Sequence, residues 1–399
     1  MIFMKKWLTL LLTALVVLCV TCAAAETHTS GDWTYVLLED GTAEITGYTG
    51  SEVNLLLPEQ LDTIPVTGVV YRAFWNCDTL VSVTIPNSIT HIAEGAFGTC
   101  DSLVRIFVAP EHPTLATIDN VLFVKADKAL LCYPGGLEAD FYSVPEGILS
   151  IADYAFYAAP VKEVFIPDGV IDLGEKSFWM AELTSIELPD SVMDIGSYAF
   201  YHCESLQRAI LPAGLTDIAE GMLYECRALW YVRFPEKLVT IGVDAFRECD
   251  YLNGIVLPDS VTSIGANAFR DCDSLSEITL PNNLQHIGGG AFSFCVSLEE
   301  ITFPDGLLTI GASAFERCNA LTEVVVPESV TTIGNYVFNR CTALRRAVLP
   351  AGVTSIGADS FSRCPIVVLT VFRDSFAEQW CKEHNLSYTY PDANDWLLN

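Results

Sequence analysis

The amino-acid sequence predicts a right-handed α/β solenoid with one parallel β-sheet on its concave face and short helices on its convex face. The first observation is a 23-residue period, which cysteine and proline both follow through the second half of the chain. The cysteines are Cys203, Cys226, Cys249, Cys272, Cys295, Cys318, Cys341 and Cys364, and the prolines are Pro212, Pro235, Pro258, Pro281, Pro304, Pro327 and Pro350. The second is that a segment of the type L-x-x-I-x-L precedes the prolines, with the alternation of a half-buried strand. A unit this short cannot bury its own apolar face, so successive units must stack.

Each repeat unit supplies one strand and one short helical segment. A typical unit reads P-x-x-V-T-x-I-G-x-x-A-F-x-x-C-x-x-L-x-x-I-x-L. Proline ends the strand because it cannot donate to a ladder, and the segment G-x-x-A-F-x-x-C is long enough for only one or two helical turns. The aromatic position identifies 12 units, at Phe74, Phe97, Phe156, Phe178, Phe200, Leu223, Phe246, Phe269, Phe292, Phe315, Phe338 and Phe361. Residues 66–372 therefore form one solenoid, in which the apolar positions become continuous columns of core.

Two columns of the predicted stack require small residues. The glycine of I-G, as at Gly265, is replaced by Ala93 and Ala219 in other units, so the position needs modest size and not a positive φ. The cysteine position holds Ala159 and Ala181 in two units. Thiols in neighbouring coils would lie about 4.8 Å apart and point in parallel, so they would not face one another. We therefore predict free, buried thiols that pack as small apolar side chains.

One insertion interrupts the period. Phe97 and Phe156 are 59 residues apart, which is 36 more than one repeat. Within the extra segment, Val121 to Lys125 and Ala129 to Tyr133 flank a short polar turn, which is typical of a hairpin. The sequence thus predicts an inserted hairpin near residues 111–144 that leaves the stack.

Both ends of the solenoid carry segments that depart from the repeat. Residues 26–65 predict an N-terminal capping hairpin, which turns at Glu39 to Gly41. Residues 373–399 predict a C-terminal cap, with an amphipathic helix from Ser375 to His384 and a closing strand from Ser387 to Tyr390. Covering both ends of the sheet discourages open-ended association, so we expect a monomer.

Residues 1–25 have the features of a signal peptide. Two lysines precede an apolar run from Trp7 to Val20, and Ala23 to Ala25 then supply small residues for cleavage. The run is shorter than the roughly 20 residues of a membrane span. A lipid-modified Cys22 is a competing interpretation, which the unsuitable residue Thr21 disfavours. We expect a secreted, extracellular protein with no membrane span after cleavage, and possible association with the cell surface.

Composition and motifs exclude several classes of function. The chain of 399 residues has 50 acidic and 21 basic side chains and a formal charge of −29, which argues against nucleic-acid binding because phosphate contacts need Lys and Arg. It contains neither G-x-S-x-G nor H-E-x-x-H, and no G-x-G-x-x-G follows a predicted strand. Cys381 and His384 are a close Cys–His pair, and we interpret them as neighbours on the capping helix. The sequence predicts no catalytic residues, no metal and no cofactor.

The repeated V-T-x-I-G-x-x-A-F-x-x-C-x-x-L-x-x-I-x-L-P resembles the BspA-like class of leucine-rich repeats. The resemblance covers about residues 31–390 and includes D-G-T-A-E-I-T-G-Y at Asp40 to Tyr48 and I-D-N-V-L-F at Ile118 to Phe123. It implies an α/β leucine-rich-repeat solenoid. It also implies a bacterial or protist surface protein of a class linked to adhesion and to binding of host proteins.

The outward positions of the predicted strands are the best candidates for a binding site, because packing does not dictate their residues. Arginine and aromatic residues, which are common at interface hot spots, cluster there beside an acidic stripe. The cluster is Arg208, Ile210, Trp230, Tyr231 and Arg233, and the stripe is Glu277, Glu300 and Glu323. An ordinary solvated sheet face is the competing interpretation of these residues.

Two functions fit this surface. The favoured one is a secreted, non-enzymatic binding or adhesion protein that recognises a protein or a cell-surface or matrix macromolecule. The alternative is a carbohydrate-binding or polysaccharide-cleaving solenoid. Glycoside cleavage needs two carboxyl groups in unlike environments at a set separation, and evenly repeated glutamates do not provide that asymmetry.

Overall fold

The computed structural model describes residues 26–392, which form a continuous stack of coils with parallel strand pairing between them. The predicted signal peptide therefore lies outside the described residues. Each regular coil has three sides: a strand that ends before the proline, a two-residue strand that ends at the isoleucine of I-G, and a segment of turns that carries the A-F pair. We call these the pre-proline strands, the Ile-Gly strands and the turn side.

The pre-proline strands pair in parallel with their neighbours, but in four separate sheets of three, five, two and four strands and not in the one continuous sheet predicted. Neighbouring strands align one period apart, as when Arg208 pairs with Tyr231 and Ala209 with Val232. In chain order these strands are Asn54–Leu56, Ser82–Ile85, Arg105–Val108, Ala139–Ser143, Val161–Phe165, Ser185–Glu187, Arg208–Ile210, Tyr231–Arg233, Ile255–Val256, Ile278–Thr279, Glu323–Val325, Arg346–Val348, Val368–Thr370 and Tyr388–Thr389. The prediction of stacked parallel coils is confirmed, whereas the right-handed coiling, the curvature and the domain limits stay predictions.

A second set of parallel strands, absent from the prediction, is formed by the Ile-Gly strands, and its pairing breaks between Asp194–Ile195 and Asp217–Ile218. Each regular coil adds two residues to it, for example Thr240 and Ile241 opposite Ser263 and Ile264. The strands are His91–Ile92, Ser150–Ile151, Asp172–Leu173, Asp194–Ile195, Asp217–Ile218, Thr240–Ile241, Ser263–Ile264, His286–Ile287, Thr309–Ile310, Thr332–Ile333 and Ser355–Ile356. The apolar residue of each pair is buried, so these strands close the core from a second direction.

The predicted helices of the repeat units do not form, and turns occupy their place. Around Phe156, alternate backbone N–H groups donate within the coil, as from Tyr157 to the carbonyl of Tyr154 at 3.0 Å. The intervening groups donate to the next coil, as from Phe156 to Ser177 at 2.7 Å. Positive φ angles at positions such as Ala158 turn the backbone for this pattern. An α-helix would use these donors internally and leave the coils unlinked on this side, so the stack favours turns.

The core contains a column of stacked phenylalanine rings. Phe246 and Phe269 have ring centroids 5.2 Å apart and an interplanar angle of 2°, and Phe292 continues the column at 5.4 Å. Neighbouring columns hold the Leu, Ile, Ala and Cys residues of the repeat, and all belong to one core cluster. Burial of each large side chain contributes roughly 1.5–3 kcal/mol, so core burial stabilises each coil only when its neighbours are present.

The insertion contains strands Leu115–Ile118, Val121–Val124 and Ala129–Cys132, which pair antiparallel in sequence order. The prediction that it leaves the stack is wrong. Its last strand pairs in parallel with Ser150–Ile151, and the Tyr133 ring stacks on Phe156 with centroids 5.1 Å apart. Tyr133 thus continues the aromatic column, and the insertion behaves as an irregular coil.

The two ends differ in structure. At the N-terminal end, Thr27–Ser30, Trp33–Leu37 and Ala43–Tyr48 pair antiparallel, and the last of them joins Ile64–Val69 in parallel. The remaining strand, Gln60–Leu61, pairs antiparallel with Ile64–Val69.

The C-terminal end carries the helix Phe376–Glu383, whose N-cap is Ser375. Tyr388–Thr389 then pairs in parallel as the final pre-proline strand. Within residues 26–392, no helix is both long enough and apolar enough to cross a membrane.

Candidate functional site

The outward side chains of the pre-proline strands form a surface that we call the pre-proline face. Arg208 and Tyr231 are exposed here on adjacent strands, and the Arg208 guanidinium lies over the Tyr231 ring at 5.7 Å from its centroid. Trp230 precedes that strand, is 56% exposed, and has its ring centroid 5.8 Å from that of Tyr231. The structure therefore brings these three predicted residues together in one patch.

The prediction that Ile210 is exposed on this face is wrong, because its side chain is only 2% exposed. Ile210 lies in register between Glu187 and Arg233. Arg233 and Glu187 line one groove, whereas Ile210 does not. Ile210 therefore offers little surface to a partner.

A groove of about 550 Å³ continues the patch toward the N-terminal coils. Phe141 and Phe165, which are 58% and 51% exposed, line it together with Arg233. Five carboxylates also line it: Glu146, Glu163, Asp168, Glu187 and Asp190. About half of each phenylalanine is therefore open to a partner. The sequence analysis missed Phe141 because it lies in the irregular insertion and has no place in the repeat.

The predicted acidic stripe is exposed but partly neutralised. Glu300 and Glu323 are neighbours across a parallel β-bridge, and Glu277 lies one coil earlier. The Glu323 carboxylate forms an ion pair with the guanidinium of Arg346 in the next coil. The stripe is therefore a row of three carboxylates, one of which is neutralised by an arginine of the next coil.

The turn side carries an aromatic ladder that the sequence analysis did not consider. The residue after the core aromatic is Trp75, Tyr157, Trp179, Tyr201 or Tyr224 in five of the coils. These rings pack against one another, with centroids 5.6 Å apart for Trp179 and Tyr201 and 4.9 Å apart for Tyr201 and Tyr224. Since stacking covers the ring faces, the ladder stabilises neighbouring coils and offers mainly ring edges to solvent.

Glu94 has a raised pKa, which the sequence analysis did not identify. Glu94 is exposed as a residue, but its carboxyl group is partly shielded and hydrogen-bonds to that of Asp153. Shielding from solvent and the charge of Asp153 raise the pKa of Glu94 to about 7. Carboxyl groups in direct contact leave no room for a glycosidic bond, which needs a separation of about 5 Å or more.

The repeat cysteines are free thiols in the core, as the spacing predicts. Nine of the thiols donate a hydrogen bond to the carbonyl of the aromatic position in the preceding unit of the stack, as from Cys272 Sγ to Phe246 O at 3.2 Å. Burial raises the pKa of these thiols, to about 11 for Cys364 at the end of the column. No group of three or more His, Cys, Asp or Glu side chains in residues 26–392 is arranged to hold a metal ion.

Comparison with known families matches the repeat architecture to a defined class. The model of the BspA type leucine-rich repeat region matches residues 54–129, 138–253 and 239–368, with six copies. The chain belongs to this family. No curated protein matches the BspA-type chain described here.

Solved structures with the same architecture come from several bacteria. A leucine-rich repeat protein from Bacteroides ovatus is 23% identical, with a TM-score of 0.52 and coverage of 91% of this chain and 99% of that one. The pneumococcal vaccine antigen PcpA is 17% identical, with a TM-score of 0.55 and coverage of 92% and 98%. A leucine-rich repeat protein from Eubacterium ventriosum is 20% identical, with a TM-score of 0.52 and coverage of 71% and 97%. At these identities the likeness supports the BspA-type fold alone.

Proposed function

We propose that this BspA-type protein is a secreted, non-enzymatic binding protein that recognises a protein partner through the pre-proline face. One observation carries the proposal: exposed Phe141, Phe165, Arg208, Tyr231 and Arg233 lie on four of five consecutive strands of one sheet. The fold does not require large side chains there, because equivalent outward positions in other coils hold small residues such as Ser82, Gly254 and Thr279. Exposed aromatic residues beside arginine are the composition that carries binding energy at protein interfaces.

The geometry supports binding more than catalysis. The groove beside Arg233 is open and shallow, and its carboxylates are spread along several coils. An enzyme would concentrate groups of matched pKa around one enclosed reacting centre. A peptide or a loop of a folded partner could instead follow the groove and place apolar side chains on the two phenylalanine rings.

The test has two steps. The full chain is first screened against immobilised extracellular-matrix proteins and a glycan array, which separates protein recognition from the carbohydrate-directed alternative. The affinity for the best ligand is then measured by calorimetry for the double variant Tyr231→Ala/Arg233→Ala. If these residues are hot spots, binding weakens by about 2 kcal/mol or more, whereas thermal unfolding changes little because both side chains are exposed.

A matched control removes the same residue types elsewhere. Tyr336 is 43% exposed on the turn side, and Arg345 is exposed in a coil near the C-terminal end. The variant Tyr336→Ala/Arg345→Ala should retain the original affinity. Equal losses of affinity in the two variants, or no loss of affinity in Tyr231→Ala/Arg233→Ala, would place the partner on another surface. Binding confined to the glycan array would favour the carbohydrate-directed alternative.

A further inference from the structure

The turn side of the C-terminal coils carries three arginines at one repeat position, immediately before the cysteine. They are Arg317, Arg340 and Arg363. Backbone hydrogen bonds hold them in register, because the Arg317 N–H donates to Asn339 O at 2.8 Å and the Arg340 N–H to Ser362 O at 2.9 Å. Successive coils are about 4.8 Å apart, so the three side chains form a column on one surface. We call it the arginine column.

The arginine column has no internal counter-charge. None of its three guanidinium groups forms an ion pair with a carboxylate of residues 26–392. Glu316 is the acid that acts on Arg340, but no ion pair forms between them. Shielding from solvent and the positive charges of Arg317 and Arg363 lower the pKa of Arg340. In a chain with a formal charge of −29, carboxylates are abundant, so three unpaired arginines side by side need an explanation.

The same repeat position in earlier coils provides an internal comparison. It holds Glu225, Glu248 and Asp271, and each of these acids has a basic partner. Glu225 pairs with His202, Glu248 with Arg227 at 2.6 Å, and Asp271 with Arg270 at 3.1 Å. All these positions adopt a positive φ whatever the residue, so the backbone does not demand arginine. At this repeat position, the acidic residues of the earlier coils have basic partners. The arginines of the later coils have no ion-pair partner among the described residues.

One donor of the column is also unused. The Nε of Arg317 is buried and has no hydrogen-bond partner among the described residues. Its guanidinium carbon lies 4.8 Å from the ring centroid of Phe294, the residue at the same position one coil earlier. The ring therefore fixes one end of the column and limits the freedom of the first guanidinium. An ordered guanidinium loses less entropy when it binds an oxyanion.

We propose that the arginine column binds an acidic polysaccharide, a linear chain that carries sulfate or carboxylate groups. Guanidinium groups match both oxyanions through paired hydrogen bonds. Evenly spaced identical charges suit a polymer whose charges also repeat, and one sugar unit is similar in length to one coil spacing. An extended acidic peptide fits less well, because side chains on one face of a strand repeat every ~6.8 Å. The site is separate from the pre-proline face and does not depend on the function proposed there.

The test measures binding of the full chain to dextran sulfate and to polygalacturonate, with uncharged dextran and poly-L-glutamate as comparisons. We expect binding to dextran sulfate, polygalacturonate or both, which identifies the oxyanion, and none to dextran. The triple variant Arg317→Gln/Arg340→Gln/Arg363→Gln should raise the Kd at least about tenfold, because charge-assisted hydrogen bonds are lost. The triple lysine variant keeps the charges and should fall between the two.

A matched control separates the column from overall charge. Arg105, Lys237 and Arg345 are exposed and outside any ion pair of the described residues, and their triple glutamine variant also removes three positive charges. It should bind like the unchanged chain, as should Tyr231→Ala/Arg233→Ala. The proposal is overturned if neither glycan binds, if the control loses as much affinity as the arginine-column variant, or if poly-L-glutamate binds as tightly as the glycans.

Discussion

At the scale of single residues, the glycine of I-G shows how closely the coils approach. A Cβ atom built on Gly265 would lie 2.6 Å from the carbonyl carbon of Gly242 in the preceding coil. Gly265 does not have a positive φ, so distance between coils, and not backbone conformation, selects the residue. The sequence pattern already indicated a limit on size, because Ala93 and Ala219 are the replacements at the equivalent position.

Gly265→Ala should therefore destabilise the protein by about 1–3 kcal/mol, since overpacking forces the backbone of two coils apart. Chemical denaturation with urea would measure the change in the free energy of unfolding. Gly214→Ala is the control, because no atom lies within 4 Å of a Cβ built there. Similar free energies of unfolding for the two variants would show that the coils can move apart without loss of stability.

The cysteine position of the repeat also accepts only small side chains. Cys272 fits among the core side chains, and its Sγ satisfies a backbone carbonyl that alanine would leave without this donor. Ala159 and Ala181 fill the position in the coils that lack cysteine, and both are buried. The cysteine column is thus explained by packing and by a weak hydrogen bond, without redox chemistry.

At the scale of structural elements, the insertion can be tested through Tyr133. Its ring stacks on Phe156, and its hydroxyl donates to Leu137 O at 2.8 Å. Tyr133→Ala should cost about 3–5 kcal/mol, as for other large aromatic side chains in a core. Tyr133→Phe keeps the ring and should cost only about 1 kcal/mol for the lost hydrogen bond. Urea denaturation of both variants would measure the change in the free energy of unfolding. If the insertion lay outside the stack, both substitutions would leave this free energy nearly unchanged.

The elements also show what the sequence could and could not reveal. The 23-residue period was sufficient for the stack and the pre-proline strands. The helices were wrong because the apolar spacing of G-x-x-A-F-x-x-C suits a helix and a series of linked turns equally well. The Ile-Gly strands were missed because a strand of two residues, such as Ser263–Ile264, is too short to show alternation.

The candidate site was predicted less well than the fold, for two physical reasons. An outward strand position indicates the expected direction of a side chain but not its exposure, and Ile210 is buried although its position alternates outward. The groove also depends on Phe141. This residue lies opposite Glu163 on the neighbouring strand only once the insertion has folded into the stack. Residues outside the repeat cannot be assigned to a column from the sequence alone.

At the scale of the whole molecule, charge opposes the compact stack. The formal charge is −29, and carboxylates outnumber bases locally, as in the groove beside Phe165, which five carboxylates and one arginine line. Like charges at this density destabilise the folded state more than the expanded chain. Local ion pairs, such as that of Arg227 with Glu248 and Asp250, relieve the repulsion only in part.

Added salt should therefore stabilise the protein. Between 10 mM and 150 mM NaCl the screening length falls from about 30 Å to about 8 Å, so repulsion between separate coils is removed first and the Tm should rise over this range. Differential scanning calorimetry measures it. A variant with Glu52, Glu138 and Glu299 changed to glutamine, three exposed acids on separate parts of the stack, should start at a higher Tm and respond less to salt. A Tm that falls with salt would mean that ion pairs outweigh repulsion, and the acidic surface would then stabilise the solenoid.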